Sequence, residues 1–438
     1  MTANGGPRAV DGGVIAHEDC GVIRAVRRGA VAAVLAVVLA AASAAAAGPR
    51  TPVVFFPGYG TTVVRVTVRD QTAVKGCPRS GSFEDGIPAD VGVRFSQVCR
   101  DELLTPRWRR DSRLSFPQRF SLAPGVSVSI PHYGQTASAP VYDGFYKALE
   151  AAGYTADRDL VVAGYDFRLT PDLGGFLGQT KRLIELTWRH NGRRPVRLVG
   201  HSNGPLYAQY LLTHAAARWK RTYIQGFTDI AGNLPGQGAT WSWVFTGVEI
   251  PSGFSLPTTV AEARSSARLI ALSPSTWMSA SDPAVFGRRE IIVRNQATGR
   301  SYTRADTYRL LRDAGLDGIR PLAAHYLGFV RFADPGDFPN VDVSVEKGSG
   351  LPTQVGIILP DLAIGQLVAP ATARFIDLPG DSNQEDITND AVRVWRRMRC
   401  HRFRLTDNPG VSHLALTDDP GVIHRLLADL ARRRSRCG

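Results

Sequence analysis

The chain has 438 residues and a hydrophobic content of 44%, which excludes a minimal domain and leaves one large α/β domain with insertions or two domains. Its net charge of +13 is carried almost wholly by arginine, since lysine occurs only at 75, 147, 181, 220 and 347. Arginine is dispersed apart from Arg107-Trp108-Arg109-Arg110 and the stretch Arg432 to Arg436, which argues against a nucleic-acid binder and leaves an arginine-for-lysine genome bias or a weak attraction to anionic membrane surfaces.

At the N-terminus, Arg24, Arg27 and Arg28 lead into an apolar stretch from Gly29 to Ala47, whose last part, Ala42-Ser43-Ala44 and the alanines after them, is made of small residues. This pattern predicts a signal peptide cut between Ala44 and Gly48, with an uncleaved anchor as the alternative and residues 1–23 as an upstream start that is not used. Residues 1–48 are therefore set apart as an N-terminal extension and signal. Cysteine usage agrees with export. Cys20 precedes the apolar stretch, leaving Cys77, Cys99, Cys400 and Cys437. Cys77 and Cys99 bracket a Gly/Pro-rich loop that burial alone would not hold, so they are paired; Cys400 with Cys437 is the remainder.

Pro52 to Gly60 reads as a buried strand ending in a tight turn. Residues 61–135 read as an irregular insertion. Val141 to Ala152 has helical spacing, with Tyr142, Phe145, Tyr146 and Leu149 on one face. A strand at Leu160 to Gly164, a helix at Gly174 to Asn191, a strand at Val196 to Val199, a helix from Pro205 to Ala217 and a strand at Tyr223 to Ile230 follow. Such alternation indicates a mostly parallel sheet with helices on both faces. Residues 232–370 break the rhythm and are read as a cap, with a helix at Arg304 to Gly315. Sheet rhythm resumes at Ala373 to Leu378, then a helix at Asp390 to Met398, a strand at His401 to Leu405, a loop at Gly410 to Leu414 and a final helix from Val422 to Arg433. The core is thus 49–231 and 371–438.

One pentapeptide carries the chemistry. Gly200-His201-Ser202-Asn203-Gly204 lies between a predicted strand and a predicted helix, the context of a nucleophile elbow. Glycines at 200 and 204 would keep Cβ atoms out of a close strand–helix approach. A serine needs an imidazole base and a carboxylate to orient it, in the chain order Ser, acid, His. His413, in the loop after the last strand, is the expected base, while His201 is expected to pack within the elbow. Asp381, on the turn after Leu378-Pro379-Gly380, is the expected acid; Asp386 is the alternative, with Glu385 close by and Asp377 inside the strand. Oxyanion donors are expected from the backbone N–H groups of Asn203 and of Tyr59 in Gly58-Tyr59-Gly60. No metal or organic cofactor is required, and no cysteine pair has zinc-ligand spacing.

With these residues in order, the chain resembles the lecithin:cholesterol acyltransferase family, which includes lysosomal phospholipase A. The resemblance runs from about Pro52 to the final helix. Val53 to Gly58 resembles the family's opening strand and oxyanion turn, Cys77 and Cys99 its loop-clipping disulfide, and Gly164-Tyr165-Asp166-Phe167-Arg168-Leu169 its Tyr-Asp-Trp-Arg-Leu segment. Ser273 to Met278 and Gly348 to Pro352 resemble parts of its cap, Gly380 to Trp395 its acid segment, and Gly410 to Leu414 its histidine loop. Three departures stand out: Ser382-Asn383-Gln384 after the acid, Ala231 to Gly236 where the family has Ala-Pro-Trp-Gly-Gly, and Asn203 where it has Leu or Met. Arg168 has two readings, a buried structural corner or a lipid-phosphate contact. Trp241, Trp243 and Phe245 likewise read as cap core or as a mobile lid that dips into lipid.

The resemblance implies an α/β-hydrolase with a cap and a small disulfide-clipped insertion. It implies a phospholipid acyl donor, an acyl-Ser202 intermediate, and water or a lipid hydroxyl as acceptor. The expected setting is peripheral, on a membrane or lipoprotein surface, as a monomer. The expected location is the secretory route, extracellular or in an acidic lumen. The rival readings are a carboxylesterase or triacylglycerol lipase that only hydrolyses, and a catalytically silent lipid-binding protein.

Overall fold

Six strands form the centre of the molecule in a computed structural model that describes residues 50–86, 95–113, 118–247, 257–286, 290–367 and 374–435. In spatial order they are Phe403–Pro409, Val343–Ser349, Ile224–Ile230, Val196–His201, Val53–Phe56 and Leu160–Val162, and every neighbouring pair is parallel. The inner four are buried along their whole length, the pattern of a parallel sheet covered on both faces. Helices Phe176–His190 and Gly204–His214 cover one face through Phe176, Ile184, Leu206 and Leu211. Asp143–Ala151 and Pro420–Ala431 cover the other through Phe145, Leu149, Val422 and Leu426. The Phe145, Tyr146 and Leu149 face predicted for the first of these is buried, as is Tyr142 just before it. The last helix starts where Asp419 caps the Val422 N–H and Pro420 opens the first turn. This is the α/β-hydrolase arrangement.

The insertion after the first strand is more ordered than its composition suggests. Val64–Val68 is the middle strand of an antiparallel sheet with Gly81–Asp85 and Val126–Ser129, and Arg107–Arg110 pairs with Gln118–Ser121. The signal was the alternation Val64, Val66, Val68, whose inward residues pack with Phe83, Phe95, Leu103 and Leu104. Cys77 and Cys99 are joined as expected, with an S–S distance of 2.07 Å. Cys400 is disulfide-bonded; Cys437, its expected partner, lies outside the described residues.

Two boundaries of the cap need correction. Val343–Ser349, inside the segment read as cap, belongs to the central sheet between Ile224–Ile230 and Phe403–Pro409. Its polar residues hid it: Ser344 donates to Asp429, Glu346 pairs with Arg425, and Lys347 pairs with Asp386 and Asp390. Arg374–Gly380, read as returning to the central sheet, instead runs antiparallel to Leu351–Leu359 in a second sheet of order Ser301–Thr303, Ile291–Asn295, Leu351–Leu359, Arg374–Gly380. That strand is only partly buried, as an edge strand is. The predicted helix at Arg304 to Gly315 is a 3₁₀ turn, Arg304–Asp306, followed by helix Thr307–Asp313.

Trp241, Trp243 and Phe245 lie on helix Thr240–Thr246, all of it buried. Trp241 and Phe245 pack with Trp277, Ile292 and Leu311 in the cap core, Trp243 is buried against Tyr59, and the lipid-dipping reading falls. The predicted signal segment lies outside the described residues. Among the described residues, no helix is long and apolar enough to cross a membrane.

Candidate active site

Strand Val196–His201 and helix Gly204–His214 meet at a turn two residues long. Ser202 adopts φ +60° there, a conformation that costs a non-glycine residue energy and turns its side chain out of the strand. The turn is held by Ser202 N–H donating to Ile230 O (3.0 Å) and Asn233 N–H donating to Ser202 O (3.1 Å). The two glycines of the pentapeptide are required by contact. A Cβ on Gly204 would lie 2.0 Å from Phe56 O, and one on Gly200 would lie 2.8 Å from Pro205 N.

The turn after the first strand lies against this serine. A Cβ on Gly58 would stand 3.2 Å from Ser202 Cβ and 2.8 Å from the Tyr142 hydroxyl. The Tyr59 ring packs between Phe167 and Trp243, with centroids at 5.6 and 5.5 Å. Its side chain is therefore part of the wall beneath the cap. Asn203 is fully buried, and its Oδ1 accepts from Ser279 Oγ at 2.7 Å, fastening the elbow to the cap. The polar side chain at this position is thus used in packing.

His413 and Asp381 are joined twice. His413 Nδ1 lies 2.9 Å from Asp381 Oδ2, and His413 N–H donates to Asp381 O at 2.8 Å. Asp381 is fully buried, and its Oδ1 accepts backbone N–H bonds from Asn383 (3.0 Å) and Gln384 (2.7 Å). The residues after the acid therefore serve through their backbone, which any side chain supplies, and Ser382 takes φ +79° to make the turn. With Nδ1 directed at a carboxylate, the neutral imidazole keeps its proton there and presents Nε2 as the basic atom. Nε2 is buried and makes no hydrogen bond to a described residue.

The other acid candidates are committed elsewhere. Asp386, the alternative acid, is part-exposed and pairs with Lys347 at 3.4 Å, so it is set aside. Glu385 accepts from Arg304 (2.7 Å) and from Gly238 N–H (2.9 Å). Asp377 stands within Arg374–Gly380, opposite Gln354. Asp381 arrives through the cap sheet: Gly380 pairs with Leu351, just beyond the central strand Val343–Ser349. Gly348 makes room for it, since a Cβ there would lie 2.8 Å from Asp381 Cβ and 2.3 Å from Val411 O. Sequence reasoning did not single out this glycine for the site.

Arg168 is buried, bonded through its guanidinium to Asp166 and Leu104 O. It is the structural corner of its two readings. His201 packs within the elbow as expected and adds a contact that was not foreseen: its ring lies 4.6 Å from that of His413, with Nε2 3.0 Å from His413 O. Burial drives the His201 imidazole well below its ordinary value, so it is neutral. Among the described residues, no group of three or more His, Cys, Asp or Glu side chains is arranged to hold a metal.

This geometry can be set beside known proteins. The family model of lecithin:cholesterol acyltransferase matches residues 125–321. Lecithin-cholesterol acyltransferase-like 1 of Oryza sativa subsp. japonica is 26% identical over 405 residues, 89% of this chain and 88% of that protein. Lysosomal phospholipase A and acyltransferase of Mus musculus is 26% identical over 306 residues, 66% of this chain and 69% of that protein. A chain of the Tle4–Tli4 complex shares the fold, with a TM-score of 0.50 at 13% identity over 86% of this chain and 97% of that one.

Proposed function

Because the chain belongs to the lecithin:cholesterol acyltransferase family, we propose that it moves a fatty acyl group from a phospholipid to water or a lipid hydroxyl through an acyl-Ser202 intermediate. One observation carries the assignment of roles. Asp381 holds Nδ1 of His413 at 2.9 Å, while the His413 carbonyl is bonded to the residue preceding Ser202. Ser202 Oγ attacks the ester carbonyl carbon as His413 Nε2 takes its proton. The tetrahedral oxyanion is met by the N–H groups of Tyr59 and Asn203. As the ester C–O bond breaks, His413 returns the proton to the leaving lysophospholipid oxygen. The acceptor then gives its proton to His413, attacks the acyl-enzyme, and releases Ser202 Oγ, which regains a proton. Asp381 steadies the imidazolium in both halves.

Both acceptors attack the same intermediate, so the balance between hydrolysis and transfer depends on how dry the acceptor's path is. The working setting in this reading is the surface of a membrane or lipoprotein, reached by secretion or in an acidic lumen, by a monomer. The test is product analysis on liposomes of labelled phosphatidylcholine with a sterol or diacylglycerol. Wild type is expected to release lysophospholipid and form either free fatty acid or a new ester. Ser202→Ala is expected to lose about 10⁴-fold or more of that rate. Cleavage of short esters alone, with phospholipid untouched, would replace this reading with a carboxylesterase.

A further inference from the structure

A tyrosine outside the proposed catalytic set links the two sides of the site. Tyr142 lies in the 3₁₀ turn Pro140–Tyr142, ahead of helix Asp143–Ala151, and is 1% exposed. Its hydroxyl accepts the Gly58 N–H at 2.8 Å. The same hydroxyl lies 2.8 Å from His201 Nδ1. His201 Nε2 in turn lies 3.0 Å from His413 O. Direction follows from chemistry. A carbonyl oxygen only accepts, so His201 carries its proton on Nε2 and leaves Nδ1 bare. Tyr142 O–H then donates to Nδ1 while its oxygen accepts from Gly58. Donation runs from Gly58 N–H to Tyr142, from Tyr142 to His201, and from His201 to the accepting carbonyl of His413.

Each end of that chain belongs to the reaction. Gly58 precedes Tyr59, whose N–H is assigned to the oxyanion, and His413 is the base. The middle member, His201, is the residue before the nucleophile. We propose that Tyr142 and His201 are positioning residues that fix the oxyanion turn and the His413 loop against Ser202 as one unit, an inference that rests on the assignment of Ser202 and His413 above. The turn at Gly58, the strand end at His201 and the loop at His413 would otherwise be aligned only by packing and by sheet pairing such as that of Phe56 with Gly200. Hydrogen bonds between buried groups have few alternative partners, so the register between these loops becomes narrow. Displacements of about 1 Å at reacting groups cost rates on the order of 100-fold.

The variants are Tyr142→Phe, His201→Leu and His201→Gln, with Tyr146→Phe as the control. Tyr146 is a buried neighbour in the same aromatic cluster whose hydroxyl donates to Ala139 O, away from the site. Two readouts are used: kcat and KM on phosphatidylcholine liposomes, and the rate at which a fluorophosphonate labels Ser202. Tyr142→Phe and His201→Leu are expected to lower kcat and the labelling rate about 10- to 100-fold with KM within about threefold. His201→Gln, which keeps a donor near the Nε2 position, is expected to recover part of the loss. Tyr146→Phe is expected to lower Tm comparably and leave kcat within about twofold. Labelling of wild type but equal rates in Tyr142→Phe, or losses in all four variants that simply track Tm, would overturn the inference and leave the catalytic assignment standing. Failure of folded wild type to label at all would overturn the catalytic assignment itself.

Discussion

Asp381 is set apart from its neighbours by backbone surroundings. Two N–H groups fix one oxygen while the other faces His413 at 2.9 Å. Asp386 faces Lys347 instead. Asp381→Asn is therefore expected to reduce kcat by about 10³- to 10⁴-fold with little loss of fold, because an amide presents the wrong partner to the imidazole. Asp386→Asn is expected to stay within about threefold of wild type in the same assay. Comparable losses from the two substitutions would remove Asp381 from its role. The turn at Ser202 and its two glycines were legible from type and order along the chain, and the same order named His413 as the candidate base. The choice between Asp381 and Asp386 was not, because both follow the same strand and only hydrogen bonding separates them. Tyr142 read as one apolar position on a helix face; nothing in sequence shows where a hydroxyl finds its partner.

At the scale of elements, the insertion docks on the cap through a buried carboxyl. Asp101, in helix Gln97–Leu104, accepts from the hydroxyls of Ser265 (2.8 Å) and Ser266 (2.7 Å) in helix Val260–Leu272. Burial lifts its carboxyl to about 7, against the lowering effect of those two hydroxyls. The sign follows from the folded state binding the proton more tightly than the unfolded chain, whose value is near 3.8. The stabilising contribution is complete below that unfolded value and is lost as pH rises through about 7. Asp101→Asn, which cannot ionise, should gain on wild type as pH rises from about 4 to above 7. Thermal melts of the two proteins across that range check it; a Tm difference that stays flat would show that Asp101 does not titrate there. The antiparallel sheet that accompanies this helix was missed because its outward positions are polar and its turns are rich in glycine. The central strand Val343–Ser349 was missed for a different reason, since its Ser, Glu and Lys are paired with residues from other elements.

At the scale of the molecule, the net charge of +13 favours anionic surfaces. Raising ionic strength from 0.1 to 1 M shortens the Debye length from about 10 Å to about 3 Å. Turnover of liposomes rich in anionic lipid is expected to fall several-fold over that range, while turnover of a soluble short-chain ester changes less than twofold. Equal salt dependence for both substrates would show that charge does not bring the protein to its surface. The alternation of strands and helices, the elbow between Val196–His201 and Gly204–His214, and the disulfide of Cys77 with Cys99 were set by local pattern, because backbone periodicity, turn strain and loop closure act over short stretches of chain. Sequence by itself determined the fold class and singled out Ser202 and His413 for the proposed roles of nucleophile and base. The tertiary structure alone decided which acid meets that base, that the cap tryptophans are core, and that Val343–Ser349 lies in the central sheet while Arg374–Gly380 lies in the cap. Those outcomes depend on pairing between groups tens to hundreds of residues apart, and no local window of the chain contains both partners.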